Sequence, residues 1–321
     1  MFFIRIIIKF SAVVQAIPMI ISGQAIILTM QHFSEEQIMS VITAIFQAIL
    51  QAIAWIFPIS ETGHSALFHS FADRTDSTCS ALTGVIHIGI AVGIVLAMYK
   101  TFIRLGKEFF GTFKDLAQKN LKGKKNNSRY FMYMTLISFL PMILWLIPIG
   151  DSFLFTMLTK TGHNTTLLDD GIFVALTGAL LLIAHKQLSL DVNKKNMNVV
   201  CAVVIGFFSV LLVPLSGLSL VAGVISVLIL FQVSKKLAFN YAFVMSVPVL
   251  FVMGIVQICI GTSASIAGGI IGFVISVIIS FFAVKVFKYL FGKNQLNFFG
   301  IYDLGVGVIA LVIGIFQLAL N

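Results

Sequence analysis

Charge is scarce in this chain: only 10% of its 321 residues are Asp, Glu, Lys or Arg. With 59% hydrophobic residues and a mean hydropathy of +1.05, too little polar side chain is left to coat a water-soluble globule of this size. Cysteine is limited to Cys79, Cys201 and Cys259, scattered and odd in number, which excludes a disulfide framework and any metal-ligand spacing. What remains is an integral membrane protein with several spans. The net charge of +9 would suggest nucleic acid in a soluble protein. Here the cations sit in short runs between apolar segments, as the positive-inside rule requires, so nucleic acid is not an expected partner.

A helix crosses the hydrocarbon with about 20 apolar residues, and such stretches lie near residues 10–30, 80–99, 130–149, 168–185, 238–260, 267–287 and 298–320. The richest basic loop, Lys100 to Arg129, anchors the cytoplasmic side. The loop from Asp151 to Asp170 then falls outside, and Lys186, Lys194 and Lys195 inside. Arg5 and Lys9 place the amino terminus in the cytoplasm. A signal peptide is the rival reading of residues 1–38, but the apolar stretch there is long and ends at Gln31-His32-Phe33 without a small-residue cleavage pattern. These residues are expected to be an extra transmembrane segment before a domain spanning 39–321.

Two apolar stretches are broken in the middle. Residues 38–72 are interrupted from Pro58 to Gly63, and 197–232 from Pro214 to Ser219. Each must begin and end on one face, because Lys235 and Lys236 follow the second stretch and Asp73, Arg74 and Asp76 follow the first. Ordinary spans merely kinked at Pro58 and Pro214 would put Lys235 and Lys236 outside. The expected fold is therefore an all-α integral membrane protein, a polytopic inverted-repeat bundle with two re-entrant broken-helix hairpins entering from opposite faces. Non-helical backbone at membrane depth is tolerated where protein buries it or water reaches it, so the breaks mark a site. Unpaired N–H groups at half-helix ends suit an anionic head group.

The ordered series Pro58-Ile-Ser-Glu-Thr-Gly-His64, Val85-Ile-His87-Ile-Gly89, Phe139-Leu-Pro141, Gly178-Ala-Leu, Phe243 to Pro248 and Phe299-Gly-Ile-Tyr302 resembles the undecaprenyl-diphosphate phosphatase family of BacA-like bacterial membrane enzymes. The similarity runs from about residue 40 onward. It implies a polyprenyl phosphate or diphosphate partner in cell-wall synthesis and a multi-pass location in the bacterial inner membrane. A homodimer is left open.

The departures from the family pattern fall on its chemistry. The family's two first-motif glutamates are Gln51 and Trp55 here, and its second serine is Glu61. In the second motif, the serine, arginine and threonine positions hold Gly217, Leu218 and Ala222, and the arginine after the late tyrosine is Asp303. Diphosphate hydrolysis needs cationic stabilisation of charge on phosphoryl oxygens, which leucine cannot supply. No protein metal site is therefore expected, and a divalent cation is implied only if the phosphatase activity survives.

The candidate reactive residues are His64 and Glu61, since an ionisable group at membrane depth seldom persists without a role. The candidate head-group ligands are Ser60, Thr62, Gly63, Ser216, Gly217, Ser219, His87 and Gln51. Each has a structural alternative: His64 as a helix cap, His87 as a satisfied core histidine, the hydroxyls as bonds to helix carbonyls. Glu61 and His64 are expected to pair, Asp303 to be interfacial, and the phenylalanine-rich segments to face lipid. The leading function is binding or translocation of a polyprenyl phosphate by a catalytically degenerate family member. The alternatives are an active diphosphatase with a rearranged site and a proton-coupled small-solute transporter.

Overall fold

The computed structural model describes residues 35–71, 81–118, 126–150, 152–161, 166–190, 196–261 and 265–320. The expected span at 10–30 lies outside the described residues, as do Asp73, Arg74, Asp76, Cys79, Asp151, Lys194 and Lys195.

The described residues begin with a broken helix, α1 (Glu35–Ile56) and α2 (Glu61–Phe71), then α3 (Ala81–Ala97), α4 (Tyr99–Ala117) and α5 (Asn127–Phe139). Pro141 tightens the end of α5 into a 3-10 turn, Leu140–Leu146. A two-residue hairpin follows, β1 (Pro148–Ile149) against β2 (Ser152–Phe153), antiparallel with Pro148 opposite Phe153. After α6 (Leu154–Thr161) and α7 (Leu168–Ser189) comes the second broken helix, α8 (Val199–Leu212) and α9 (Leu220–Leu230). The chain closes with α10 (Lys235–Ile260), α11 (Ile266–Gly292) and α12 (Leu296–Leu320). Asn126, Asn198, Ser219 and Ser265 each cap a helix start with a side-chain oxygen, the service short polar residues perform there.

Among the described residues, five helices are long and apolar enough to cross a membrane: Asn127–Leu146, Leu168–Leu188, Lys235–Ile260, Ile266–Gly292 and Leu296–Leu320. They coincide with five of the expected spans, and both expected breaks are present. The basic segment after residue 99 differs from expectation. It is a helix, α4, set at 91° to α3.

Small residues let the helices approach closely, as they must where lipid tails compete equally for apolar side chains. A Cβ on Gly84 would come within 2.5 Å of the Gly254 carbonyl, and one on Gly254 within 2.7 Å of the Gly84 carbonyl. This reciprocal contact joins α3 to α10, the helices that follow the two broken pairs, as two halves related by inversion would. Gly178 and Gly300 likewise bring α7 against α12.

The first break is wedged by aromatic packing. Phe57 stacks on Phe299 at 5.5 Å and meets Phe287 edge-on at 6.1 Å, inside a buried cluster with Phe239, Phe243 and Phe291. These phenylalanines form a core between helices, whereas Phe207, Phe282, Phe298 and Phe316 are exposed on the outside of the bundle, in line with the lipid-facing expectation. Each such ring pair contributes about 0.5–1.5 kcal/mol beyond area burial.

Candidate functional site

Each break ends in a capped helix start. Ser60 caps α2, its Oγ accepting the Gly63 N–H at 3.0 Å and its carbonyl the His64 N–H at 3.2 Å. Ser219 caps α9 similarly, its Oγ accepting from Ala222 N–H at 3.3 Å and its carbonyl from Gly223 N–H at 2.9 Å. A cap of this kind serves the third amide and leaves the first two without an intrahelical acceptor. Those are the amides of Glu61 and Thr62 in α2 and of Leu220 and Val221 in α9. All four residues line one cleft, together with Trp55, Ile59, Leu218, Ser219 and Met253.

Thr62 binds the two breaks together. Its Oγ1 accepts the Gly217 N–H at 2.9 Å and lies 3.3 Å from Ser60 Oγ. Two hydroxyls bonded to each other use one proton between them, so the Ser60–Thr62 pair keeps one free to donate. Gly217 turns the chain at φ +90°, a left-handed conformation that glycine adopts without penalty. Thr177 Oγ1 donates to the Gly217 carbonyl at 3.3 Å, and the buried Ser216 hydroxyl donates to Asp170 Oδ1. Helix α7 thus holds the second break from behind.

Glu61 opens α2, where the helix dipole favours a negative charge. It accepts from Ser65 Oγ at 3.3 Å, and its other oxygen lies 3.8 Å from His87 Nε2, beyond hydrogen-bond reach. Neither nitrogen of His87 has a hydrogen-bond partner, and the same is true of Trp55 Nε1 and Gln51 Oε1. The Trp55 and His87 rings are 5.6 Å apart. A buried polar group without a partner costs about 1–3 kcal/mol. Of these atoms, Trp55 Nε1–H and one N–H of a neutral His87 are donors, while Gln51 Oε1 is an acceptor.

The expected Glu61–His64 pair does not form. In the neutral ring, His64 Nδ1 donates to the Ser60 carbonyl at 2.6 Å and Nε2 accepts from the Tyr302 hydroxyl at 2.9 Å, the rings stacking 5.5 Å apart. The imidazole folds back on its own helix start, and Glu61 instead faces α3. Of the expected residues, Glu61, Thr62 and Ser219 line the cleft, with Gln51 and His87 behind Trp55 and Glu61. Ser60, Gly63, Ser216 and Gly217 shape the breaks.

Asp303 is not interfacial. It is 0% exposed and neither carboxylate oxygen has a partner, because the Gly178–Gly300 contact draws this part of α12 onto α7. Asp170 and Tyr302 were missed as site residues. The signal was there for Asp170, an acid at the head of an apolar span; for Tyr302 only the long-range contact to His64 reveals it.

A divalent cation is implied by the resemblance only together with the phosphatase activity. The cleft offers the Glu61 carboxylate and, behind it, the His87 imidazole, too few ligands for an all-protein Ca²⁺ cage, while Mg²⁺ is held by one or two carboxylates with water and substrate phosphates. Among the described residues no three His, Cys, Asp or Glu gather as a metal site.

Residues 44–309 match the family described as bacitracin resistance protein BacA. The chain is 25% identical over 285 residues to an undecaprenyl-diphosphatase of Methanosphaera stadtmanae, covering 86% of this chain and 99% of that one. It is 28% identical over 272 residues to an undecaprenyl-diphosphatase of Buchnera aphidicola, covering 82% and 94% of the two chains. A protein of the same name from Leptospira borgpetersenii is 28% identical over 280 residues, 84% of this chain and 96% of that one.

Proposed function

The chain belongs to the bacitracin resistance protein BacA family, and we propose that it binds a polyprenyl phosphate or diphosphate, head group in the cleft between the two breaks, with the family's hydrolysis lost or strongly reduced. One observation supports the binding half: the first two residues of each helix start, Glu61 and Thr62, Leu220 and Val221, line a single cleft. Two helix N-termini facing one space make an anion site from main chain alone. The free proton of the Ser60–Thr62 pair adds a further donor.

The loss of turnover rests on what fills the rest of that cleft. Leu218 and Trp55 line it where the family pattern has an arginine and a carboxylate. Removing one preorganised group commonly costs about two to three orders of magnitude in rate. His64 persists, but its imidazole is taken up by Ser60 and Tyr302.

The test pairs two assays on the purified chain: saturable binding of undecaprenyl phosphate, and phosphate release from undecaprenyl and farnesyl diphosphates with and without Mg²⁺ and Ca²⁺. Binding without turnover above background is expected, and Leu218→Arg alone should not restore turnover, because groups that act as a unit are not additive. Robust release abolished by His64→Ala would establish the retained diphosphatase, a reading favoured by the names of the relatives. No saturable binding of either lipid would remove the lipid reading. We also assign α4 and the amino terminus to the cytoplasmic side. Labelling of Lys107→Cys from outside only would reverse that assignment.

A further inference from the structure

Helix α4 is unlike every other long helix of the bundle. It leaves α3 at 91°, so where α3 runs through the bilayer α4 lies in its plane. Its sequence has three arcs at 3.6 residues per turn. Tyr99, Ile103, Phe109, Phe110 and Phe113 form an apolar arc, all exposed, Phe110 by 73%. Lys100, Arg104, Lys107 and Lys114 form the next arc, also exposed. Glu108 and Asp115 form the third, turned to α5.

The acidic arc is already engaged by α5. Arg129, in the first turn of α5, donates to Glu108 Oε2 at 3.1 Å and to Asp115 Oδ2 at 2.6 Å, and Asn126 donates to Glu108 Oε1 at 2.7 Å. These contacts pin α4 to the point where α5 starts. They also remove both carboxylates of α4 from its basic residues, and no described carboxylate pairs with Lys100, Arg104, Lys107 or Lys114. Four cations without a described carboxylate partner therefore sit beside a row of exposed rings, on a helix held at the surface of a membrane bundle.

We propose that α4 is an in-plane amphipathic helix that sinks its aromatic arc among acyl chains and gathers acidic phospholipid head groups along Lys100, Arg104, Lys107 and Lys114. An apolar arc flanked by Lys and Arg is the pattern of interfacial helices, with lysine-rich faces drawn to anionic lipid. This surface is separate from the cleft between the breaks and does not depend on the lipid proposed to bind there.

The test uses the full chain carrying Phe110→Trp, reconstituted in phosphatidylcholine nanodiscs containing 10 mol% phosphatidylglycerol. Tryptophan quenching is read with bromine on one lipid class at a time at equal mole fraction, relative to the same chain without the substitution. The expected results are quenching by brominated chains of either class and an enrichment of phosphatidylglycerol of about fivefold, the factor one basic residue supplies near an acidic surface. The preference should fall in 0.5 M salt and vanish when the four basic residues are changed to glutamine, with Arg104→Gln plus Lys107→Gln intermediate and still monodisperse. Absence of quenching would place the helix in water and overturn the proposal. So would equal quenching by both lipids, a preference that survives the four glutamines, or a response to added oligonucleotide in place of acidic lipid.

Discussion

Gly217→Ala tests how the two breaks are held against each other. At φ +90° an alanine is strained by about 1–2 kcal/mol. Its Cβ would also stand 2.7 Å from the Asp170 carbonyl, 2.8 Å from Phe173 Cβ and 3.2 Å from Asp170 Cα. Those atoms belong to α7 itself and cannot rotate away, so overpacking adds about 1–3 kcal/mol. Together the substitution should cost roughly 2–5 kcal/mol. Gly63→Ala is the informative partner. Its Cβ would meet Val174 Cγ2 at 2.5 Å, Ser60 Oγ at 3.1 Å and Gly217 Cα at 3.4 Å, and its φ is not left-handed, so the cost is only the overpacking of about 1–3 kcal/mol.

Because the tightest contact of Gly63→Ala is a side-chain methyl, Val174→Ala should relieve it. The same change should do nothing for Gly217→Ala. Unfolding of the full chain by sodium dodecyl sulfate in mixed micelles, followed by circular dichroism, gives the two double-mutant cycles. A coupling near zero for Gly217 with Val174, and a favourable one for Gly63 with Val174, is expected. A Gly217→Ala protein as stable as the wild type, or rescued by Val174→Ala, would refute the reasoning.

Glu61→Gln removes a carboxylate that lines the cleft, so lipid-anion binding at pH 7 should tighten; an unchanged affinity would show that Glu61 is structural. Asp303→Ala removes a buried carboxyl without partners and adds no bulk against Gly178, so stability should hold or rise by about 1–3 kcal/mol; a loss of more than that read by the same detergent titration would mean the carboxyl has a partner. At the membrane surface, the hydrogen bond from Asn126, then that from Arg129, holds the Glu108 carboxyl below its ordinary value of 4.5. A depressed carboxylate stabilises the fold above its unfolded value and stops doing so as pH falls through the folded one. The α4–α5 contact, beside Asp115, should therefore loosen only below about pH 4.5; a spin-label distance between α4 and α5 that changes between pH 7 and 5 would contradict this.

The long spans were legible because lipid imposes one rule on every crossing helix, continuous apolar sequence with its hydrogen bonds internal. Both breaks were legible for the same reason, since Pro58 and Pro214 interrupt that rule with polar neighbours. Helix α4 was not, because its lysines dominate a charge count while its rings appear only when the residues are placed on a helix. Asp170 and Asp303 were misplaced because charge near a span end reads as interfacial. What buries them is the register of α7 against α12 and the second break, set by close glycine contacts such as Gly178 with Gly300, and a register between distant segments is not visible in one sequence. His64 and Glu61 were found as residues but not as partners, for their directions depend on Tyr302 and His87, which arrive from other helices.

The division of labour within the cleft explains how recognition can outlast catalysis. In the proposed reading the anion-binding element is main chain: the two helix starts at the breaks, fixed by the Ser60 and Ser219 caps and the Thr62–Gly217 bond. Substitutions at Gln51, Trp55 or Leu218 leave those helix starts where they are. The reactive element is side chain, and it acts only as a set, so the loss of an arginine and a carboxylate removes stabilisation specific to the transition state. Ground-state contacts to a phosphate survive the same losses. On the proposed reading, a family member with Trp55 and Leu218 in this cleft gives up turnover before it gives up the lipid head group, and losing the second would require breaking a helix start.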